Sequence, residues 1–456
     1  MSSLAASLST ALSGLAAEQG ALEATTNNVA NVDTPGYTRE VPIFVTKDPV
    51  VIGSLTLGTG VDLKSIESIR DPILESQIQQ ETQTQGQLGA LVSALSEAQT
   101  GFTSSTGDIG TAISKFFDTV NQLSTSPADL ALRRSMLTAA GNVASAFNVA
   151  STNLAAQRTN LDTSVVQTVG QINQLTSQIA QLNTQISRLQ NAGQSPGTFL
   201  DQRTQVIDQL SSLIDISVIP TDNSITLTTA SGTALVAGQR SFTLSAQLDS
   251  SGVYHIFSQG SDITSSIVSG QLGGLFQARD QQLPAIQAQL DTLAAGLANA
   301  VNGVQSSGYD LNGDPGANLF NVPPASGNGA AGGLSVAISD PSLVAASSDG
   351  TLGSNGNIEA MYALRNQALI NGQSPTDYYS SIVFNVGNAA SSAIAEQSAS
   401  DLVLQQLNNQ RSSISGVSLD QEAANLMRFQ QAYAASAQVI STINSMMQTV
   451  INMKTS

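Results

Sequence analysis

Both ends of this 456-residue chain carry apolar residues at seven-residue spacing. At the start, Leu8, Leu15, Leu22 and Val29 recur on one grid, with Leu4, Ala11 and Leu12 beside them. At the end, Leu419, Leu426, Tyr433, Ile440 and Met447 repeat the spacing, and Phe429, Ile443 and Val450 fill the offset positions. A sustained seven-residue period draws one narrow stripe along a helix and predicts a coiled-coil seam. A helix of this kind is poorly stable alone, because most helical stability in proteins comes from packing. The simplest fold brings the two extremities together and loops the middle of the chain out from them. In the free chain these ends are expected to be largely unordered until sister molecules cover them.

The first helix should stop at Asn31–Gly36, where Pro35 and Gly36 suit the central positions of a type II turn. A third periodic stretch lies inside the chain. Leu154, Leu161, Leu175, Leu182 and Leu189 share one grid, and Val165, Ile172, Ile179 and Ile186 share the other. Gly193–Gly197 breaks it, and Phe199, Val206, Ile207, Leu210 and Leu213 predict a second helix returning as an antiparallel hairpin. Residues 71–123 and 129–153 also read as helix, with a stop at Ser126-Pro127. From Ile216 the period changes to two, and short strands follow, with turn residues at Asp222-Asn223-Ser224. Helix returns over 273–302, 358–370 and 378–413, around a Gly-, Asn- and Pro-rich piece.

The expected fold is therefore mainly α with an inserted β domain, and elongated. Its terminal helices pair as a coiled coil (residues 1–35 and 420–456). A helical shaft takes 36–214, 270–306 and 356–419. A β-rich insert, 215–269, points outward, and 307–355 forms loops or a reduced outer domain.

Composition narrows the function. Charged residues are only 11% and the net charge is −17, so little could neutralise the phosphates of a nucleic acid. With no cysteine and one histidine, His255, thiol nucleophiles, disulfides and the common zinc sets are excluded. His255 reads as a partly exposed strand residue. Asp310-Leu311-Asn312-Gly313-Asp314 begins like a calcium loop, but Pro315 and Asn321 stand where Gly and Glu are needed, so a turn-rich loop is expected and no cofactor or metal. Acidic residues such as Asp420 and Glu422 sit at a helix start and read as solvated charge that suits the macrodipole. No secretory leader and no membrane-spanning run is evident, and no membrane insertion is expected. Leu419 to Ser456 balances Asp420 and Glu422 against Arg428 and Lys454. So weakly charged an outer face suggests cover by neighbouring copies.

Ser13-Gly14-Leu15-Ala16-Ala17, Asn27-Asn28-Val29-Ala30-Asn31 and Thr34-Pro35-Gly36-Tyr37-Thr38-Arg39 resemble the N-terminal signature of the bacterial flagellar axial proteins: rod, hook and hook-associated. The run from Gly416 to Tyr433, with Arg428-Phe429-Gln430-Gln431-Ala432-Tyr433, is most similar to the hook-associated members that join hook to filament. Phe199-Leu200-Asp201-Gln202-Arg203 and Leu210-Ser211-Ser212-Leu213-Ile214 also resemble their middle. The resemblance implies a structural, non-enzymatic junction protein in the extracellular flagellum, exported by the flagellar type III apparatus without a cleaved signal peptide. It implies that the terminal helices line an inner tube of a homo-oligomeric assembly. The implied neighbours are the hook protein below and a second junction protein above. An export chaperone is implied on about Leu419 to Asn452. It marks Asn27, Asn28, Asn31, Thr34, Pro35, Gly36 and Tyr37 as the axial motif. The alternatives are another rod or hook protein, or a secreted enzyme carried on the β insert, for which the insert lacks a catalytic constellation. The chain is short for this family, and a large outer domain is expected to be reduced to 306–356.

Overall fold

The fold was analysed in a computed structural model, which describes residues 2–52, 55–103, 108–221, 224–323 and 329–455. Helix α1 (Ser2–Ala30) ends in the expected turn. The Tyr37 N–H donates to the Thr34 carbonyl at 3.1 Å, and Gly36 takes φ +76°, which a glycine adopts without cost.

A β ribbon follows, which periodicity did not reveal. It comprises β1 (Glu40–Thr46), β2 (Val50–Ile52), β3 (Leu55–Leu57) and β4 (Val61–Ser68), with β1 antiparallel to β4 and β2 to β3. The sequence reading grouped these residues with the shaft. In the structure the ribbon runs along α1: the Val61 N–H donates to Ser13 Oγ, and a Cβ on Gly20 would come within 2.3 Å of Leu63 Cδ2.

Next come α2 (Pro72–Thr103), α3 (Ile109–Ser124), α4 (Leu130–Asn191) and α5 (Gly197–Leu213). Asp108 and Asp129 cap α3 and α4, each accepting from two backbone N–H groups of the first turn. The two stretches expected as 129–153 and a separate coil form one helix of 62 residues, about 93 Å long at 1.5 Å per residue. Its Val165, Ile172, Ile179 and Ile186 are buried as the pattern requires. They face α5 and two small sheets together, so the stripe serves several partners at once. Gly193, at φ +70°, reverses the chain into α5, with the Gln194 N–H donating to the Leu189 carbonyl at 2.8 Å.

The β region is two antiparallel meanders. One orders β5 (Ser217–Thr221), β6 (Ser224–Thr228), β7 (Ala234–Ala237) and β8 (Arg240–Ser241). The other orders β9 (Leu244–Leu248), β10 (Tyr254–Ser258) and β11 (Ser261–Asp262). Asp222 and Asn223 of the expected turn lie outside the described residues. Both sheets are tied to α4 by its asparagines. Asn183 donates to the Gly238 carbonyl at 2.6 Å, and Asn173 exchanges two 2.8 Å hydrogen bonds with the Leu244 backbone. Leu227, Leu235, Val236 and Ile256 belong to the same continuous apolar core as Phe116, Phe117, Phe147 and Ile172.

Helix α6 (Gly270–Gln277), a π-helical turn (Ala278–Gln282) and α7 (Leu283–Ser307) return the chain to the shaft. The Gly-rich segment holds β12 (Phe320–Asn321), α8 (Ala330–Gly333) and β13 (Ser335–Val336). In the Asp310 loop one carboxylate oxygen accepts from the Asn312 and Asp314 N–H groups, a turn as expected. Helix α9 (Gly356–Ala363) is shorter than expected and passes into a tight turn. Helices α10 (Pro375–Ser415) and α11 (Leu419–Thr455) finish the chain. The buried residues of α1 and α11 lie outside the main core. The terminal pair is a second, thinner packing unit beside the shaft.

Candidate assembly interface

Helices α1 and α11 lie along one another, antiparallel. Asn28 meets Glu422 near one end, and Gly14 meets Ser436 about four turns further along each helix. Each step of seven down α1 is thus a step of seven up α11. That register sets Ala21 level with Phe429 and Ser7 level with Ile443. Ala11, Ala17, Ala21, Ala24, Thr25 and Asn28 are buried on α1, and Glu422, Phe429 and Ile443 on α11. A Cβ on Gly14 would lie 3.4 Å from Ser436 Oγ, so the backbones approach closely there. The Phe429 ring fills the room that Ala21 leaves and reaches Phe44 of β1, with centroids 6.3 Å apart.

The expected seam residues are displaced from this line. Leu8, Leu15 and Leu22 are half-buried and Val29 is exposed. Each stands one residue, or about 100° of helix rotation, past the inner line through Gly14, Ala21 and Asn28. The reason is steric: α1 is held between the ribbon and α11, so the positions of closest approach take small residues and the leucines fall to the flank. On α11 the offset grid is the inner one, through Phe429 and Ile443. Leu426, Ile440 and Met447 are half-buried, while Leu419, Tyr433 and Val450 are exposed. Met427, Val439, Met446 and Ile451 are exposed as well, Val439 and Met446 together on one outer face and the others at different angles around the helix.

The axial motif is a hydrogen-bond lock at the closed end of the pair. The buried Asn28 side chain donates to the Glu40 carbonyl at 2.8 Å and to Glu422 Oε2 at 3.2 Å. Its own oxygen accepts from the Glu40 N–H at 2.8 Å and the Tyr37 hydroxyl at 2.9 Å. Asn31 donates to the Asn27 carbonyl, and the Thr34 hydroxyl donates to Asn31, which fastens the turn to α1. Pro35 accepts from Gln205 of α5 at its carbonyl, and a Cβ on Gly36 would come within 2.3 Å of Gln205 Nε2. The Thr38 N–H donates to Asp201, which also pairs with Arg70. All four of Asn27, Thr34, Pro35 and Gly36 are exposed; Pro35 and Gly36 act through backbone and turn geometry, while Asn27 and Thr34 also use their side chains, Asn27 donating to Glu40 Oε2 at 3.3 Å and accepting from Asn31. Burial pushes up the pKa of the Tyr37 hydroxyl, and the negative charges of Glu40, Asp201 and Glu422 add to this, so the phenol stays protonated and donates.

Glu422 corrects the sequence reading of solvated helix-end charge. It is 1% exposed, and Arg39 Nε meets its Oε1 at 2.9 Å. Its charge is balanced by Arg39 and its second oxygen by Asn28, the condition under which a buried carboxylate is tolerated. The Arg39 backbone completes the lock: its N–H donates to the Ser415 carbonyl at 2.9 Å and its carbonyl accepts from the Ile69 N–H at 2.9 Å. Arg39, Glu40 and Glu422 were not singled out as functional from the sequence. Spacing alone does not show that Asn28 and Glu422 meet across 394 positions. Further along the pair, burial raises the pKa of Glu18, with Arg428 opposing.

His255, on β10, is half-exposed, with Nδ1 2.7 Å from Asp262 and Nε2 3.6 Å from Asp249. It bridges strand β11 to the β9–β10 turn. Among the described residues no helix is long and apolar enough to cross a membrane.

Three family models match the chain. The flagellar hook-associated protein FlgK helical domain matches residues 95–320. The flagella basal body rod protein matches 8–38, and the flagellar basal body rod FlgEFG protein C-terminal model matches 408–453. The flagellar hook-associated protein 1 of Bacillus subtilis (strain 168) is 30% identical over 504 residues, covering 99% of both chains. That of Escherichia coli (strain K12) is 28% identical over 551 residues, covering 100% of both. The structure of the flagellar hook junction protein FlgK from Burkholderia pseudomallei superposes with a TM-score of 0.68 at 20% identity, over 74% of this chain and 100% of that one, a likeness of fold. With both terminal segments, the helical middle and near-complete coverage in agreement, the chain belongs to the flagellar hook-associated protein 1 family.

Proposed function

We propose that this chain is a non-enzymatic structural piece joining the flagellar hook to the filament, and that it assembles through α1 and α11. The observation that carries this reading is the apolar surface left uncovered around α11. After α11 has buried Phe429 and Ile443 against α1, Leu419, Met427, Tyr433, Val439, Met446, Val450 and Ile451 remain exposed on one helix. So much apolar surface on several sides of one weakly charged helix suits cover by other subunits. The flanking Leu8, Leu15, Leu22 and Val29 are placed to take part. The partners are further copies of the chain, the hook protein and a second junction protein, with an export chaperone on α11 before assembly. The protein leaves the cell by the flagellar export route and works outside it. The lock from Asn27 to Tyr37 fixes the angle between the terminal pair and the shaft. The engagement of His255 with Asp262 supports a structural role for the β region. The Escherichia coli relative aligns over 551 positions against the chain's 456 residues, so it carries segments with no counterpart here. Surface roles of those segments do not transfer.

Removing residues 420–456 tests the reading. The shaft should remain folded by circular dichroism while incorporation between hook and filament is lost. A truncated chain that still supports filament growth would sink the proposal.

A further inference from the structure

Beneath the link between α10 and α11 lies a cavity of about 720 Å³, roofed by the Val32–Thr38 turn and floored by Glu75, Asp208 and Arg411. Glu75 comes from the first turn of α2, Asp208 from α5, and Arg411 from near the C-terminal end of α10, just before its last turn. Arg411 Nη1 stands 3.3 Å from Asp208 Oδ2 and 3.6 Å from Glu75 Oε2. Asp208 Oδ1 and Glu75 Oε2 are buried without a hydrogen bond. The nearest further cation, Arg70, is committed to Asp201 and Thr204, and Arg203 to Asn183. On the far side Arg39 and Glu422 neutralise each other, the Tyr37 phenol is uncharged, and Asp33 at the cavity rim adds no positive charge. Two carboxylates therefore share one guanidinium at the point where the shaft hands over to the terminal pair.

We propose that Asp208, Glu75 and Arg411 form a proton-operated joint: one proton bound between the carboxylates seats the end of α10 firmly on α2 and α5, and its release loosens the link that carries α11. With the proton on, one negative charge faces one positive charge. With it off, an uncompensated negative charge is held beneath Ser415, whose carbonyl accepts from Arg39. Burial, and then the charge of Glu75, push the Asp208 carboxyl up to about 6, against the pull of Arg411 and Arg70. A carboxyl raised on folding adds stability in full below its unfolded value of about 3.9, and this is lost as pH rises through about 6. The joint is therefore tighter at pH 5 than at pH 7.5.

The test is hydrogen exchange of the Ser412–Ser418 amides in the intact protein, corrected for the intrinsic pH dependence and referenced to α3. Protection should fall by about tenfold between pH 5 and 7.5, with the midpoint of that fall between about 5 and 6 and a plateau above. Asp208→Asn should hold high protection at every pH. Glu75→Gln, which removes the second negative charge, should move the midpoint down. Protection independent of pH in the wild type, or an Asp208→Asn profile that still follows it, would overturn the joint. If Asp208→Asn does not fold, an unmoved midpoint in Glu75→Gln overturns it equally.

Discussion

Replacing Phe429 by alanine removes the largest side chain in the α1–α11 seam. Phe429 is 5% exposed, level with Ala21 and in contact with Phe44. Truncating a buried phenylalanine costs about 3–5 kcal/mol. The lower end applies here, because Leu426 and Ile440 beside it are only half-buried and the pair can close in. About 3 kcal/mol corresponds to roughly a hundredfold rise in the population of the separated pair. Hydrogen exchange reads this directly. Amides over residues 17–28 should lose about a hundredfold of protection. Those of α3, whose Phe116 and Phe117 sit in the separate main core, should be unchanged. The same experiment on the wild type measures whether α1 is ordered without neighbouring copies. A loss below about fivefold in α1, or an equal loss in α3, would refute the idea that Phe429 clamps a distinct packing unit.

Other perturbations separate stability from assembly. Asp215, fully buried at the end of α5, has neither carboxylate oxygen in a good hydrogen bond, and burial pushes it up to about 6 despite the Ala230 N–H. Being raised on folding, it costs stability as pH rises through about 6. Asp215→Asn should therefore stabilise at pH 7.5 by up to about 3 kcal/mol and not at pH 4, as read from urea midpoints; equal gains at both values would be a contrary result. Gly36→Ala places a Cβ on Gln205 at a positive φ and should destabilise the lock by about 1–3 kcal/mol, measured by exchange at Tyr37–Glu40. Val439→Asp and Met446→Asp lie on the exposed face, so the monomer should keep its stability within about 0.5 kcal/mol while incorporation into the axial structure is lost. Normal incorporation would show that this face is not covered.

The sequence carried the terminal helices, the turn at Pro35-Gly36, the α4–α5 hairpin and the change of period at Ile216. These rest on local rules: spacing, caps and glycine conformation. The inward side of α1 was not legible in this way. A pattern read by hydrophobicity selects leucines, whereas the closest approach selects Gly14 and Ala21 for their size. The β1–β4 ribbon was hidden because Pro42 interrupts the run and a register shift between Ile43 and Phe44 breaks the alternation. Glu422 was misjudged because its partners, Asn28 and Arg39, are remote in the chain, and charge near a helix start is ordinarily wet.

The order of elements has a mechanical outcome. The terminal unit, with α1, the ribbon and α11, connects to the rest of the protein by backbone at two places, between Ser68 and Pro72 and between Ser415 and Leu419. The Arg39 peptide groups stitch those two crossings side by side, through Ile69 and Ser415. A body hung from one thread swivels freely, whereas a body hung from two adjacent threads resists twisting, since turning it must wind one about the other. A piece built into a junction gains from being fastened in that way.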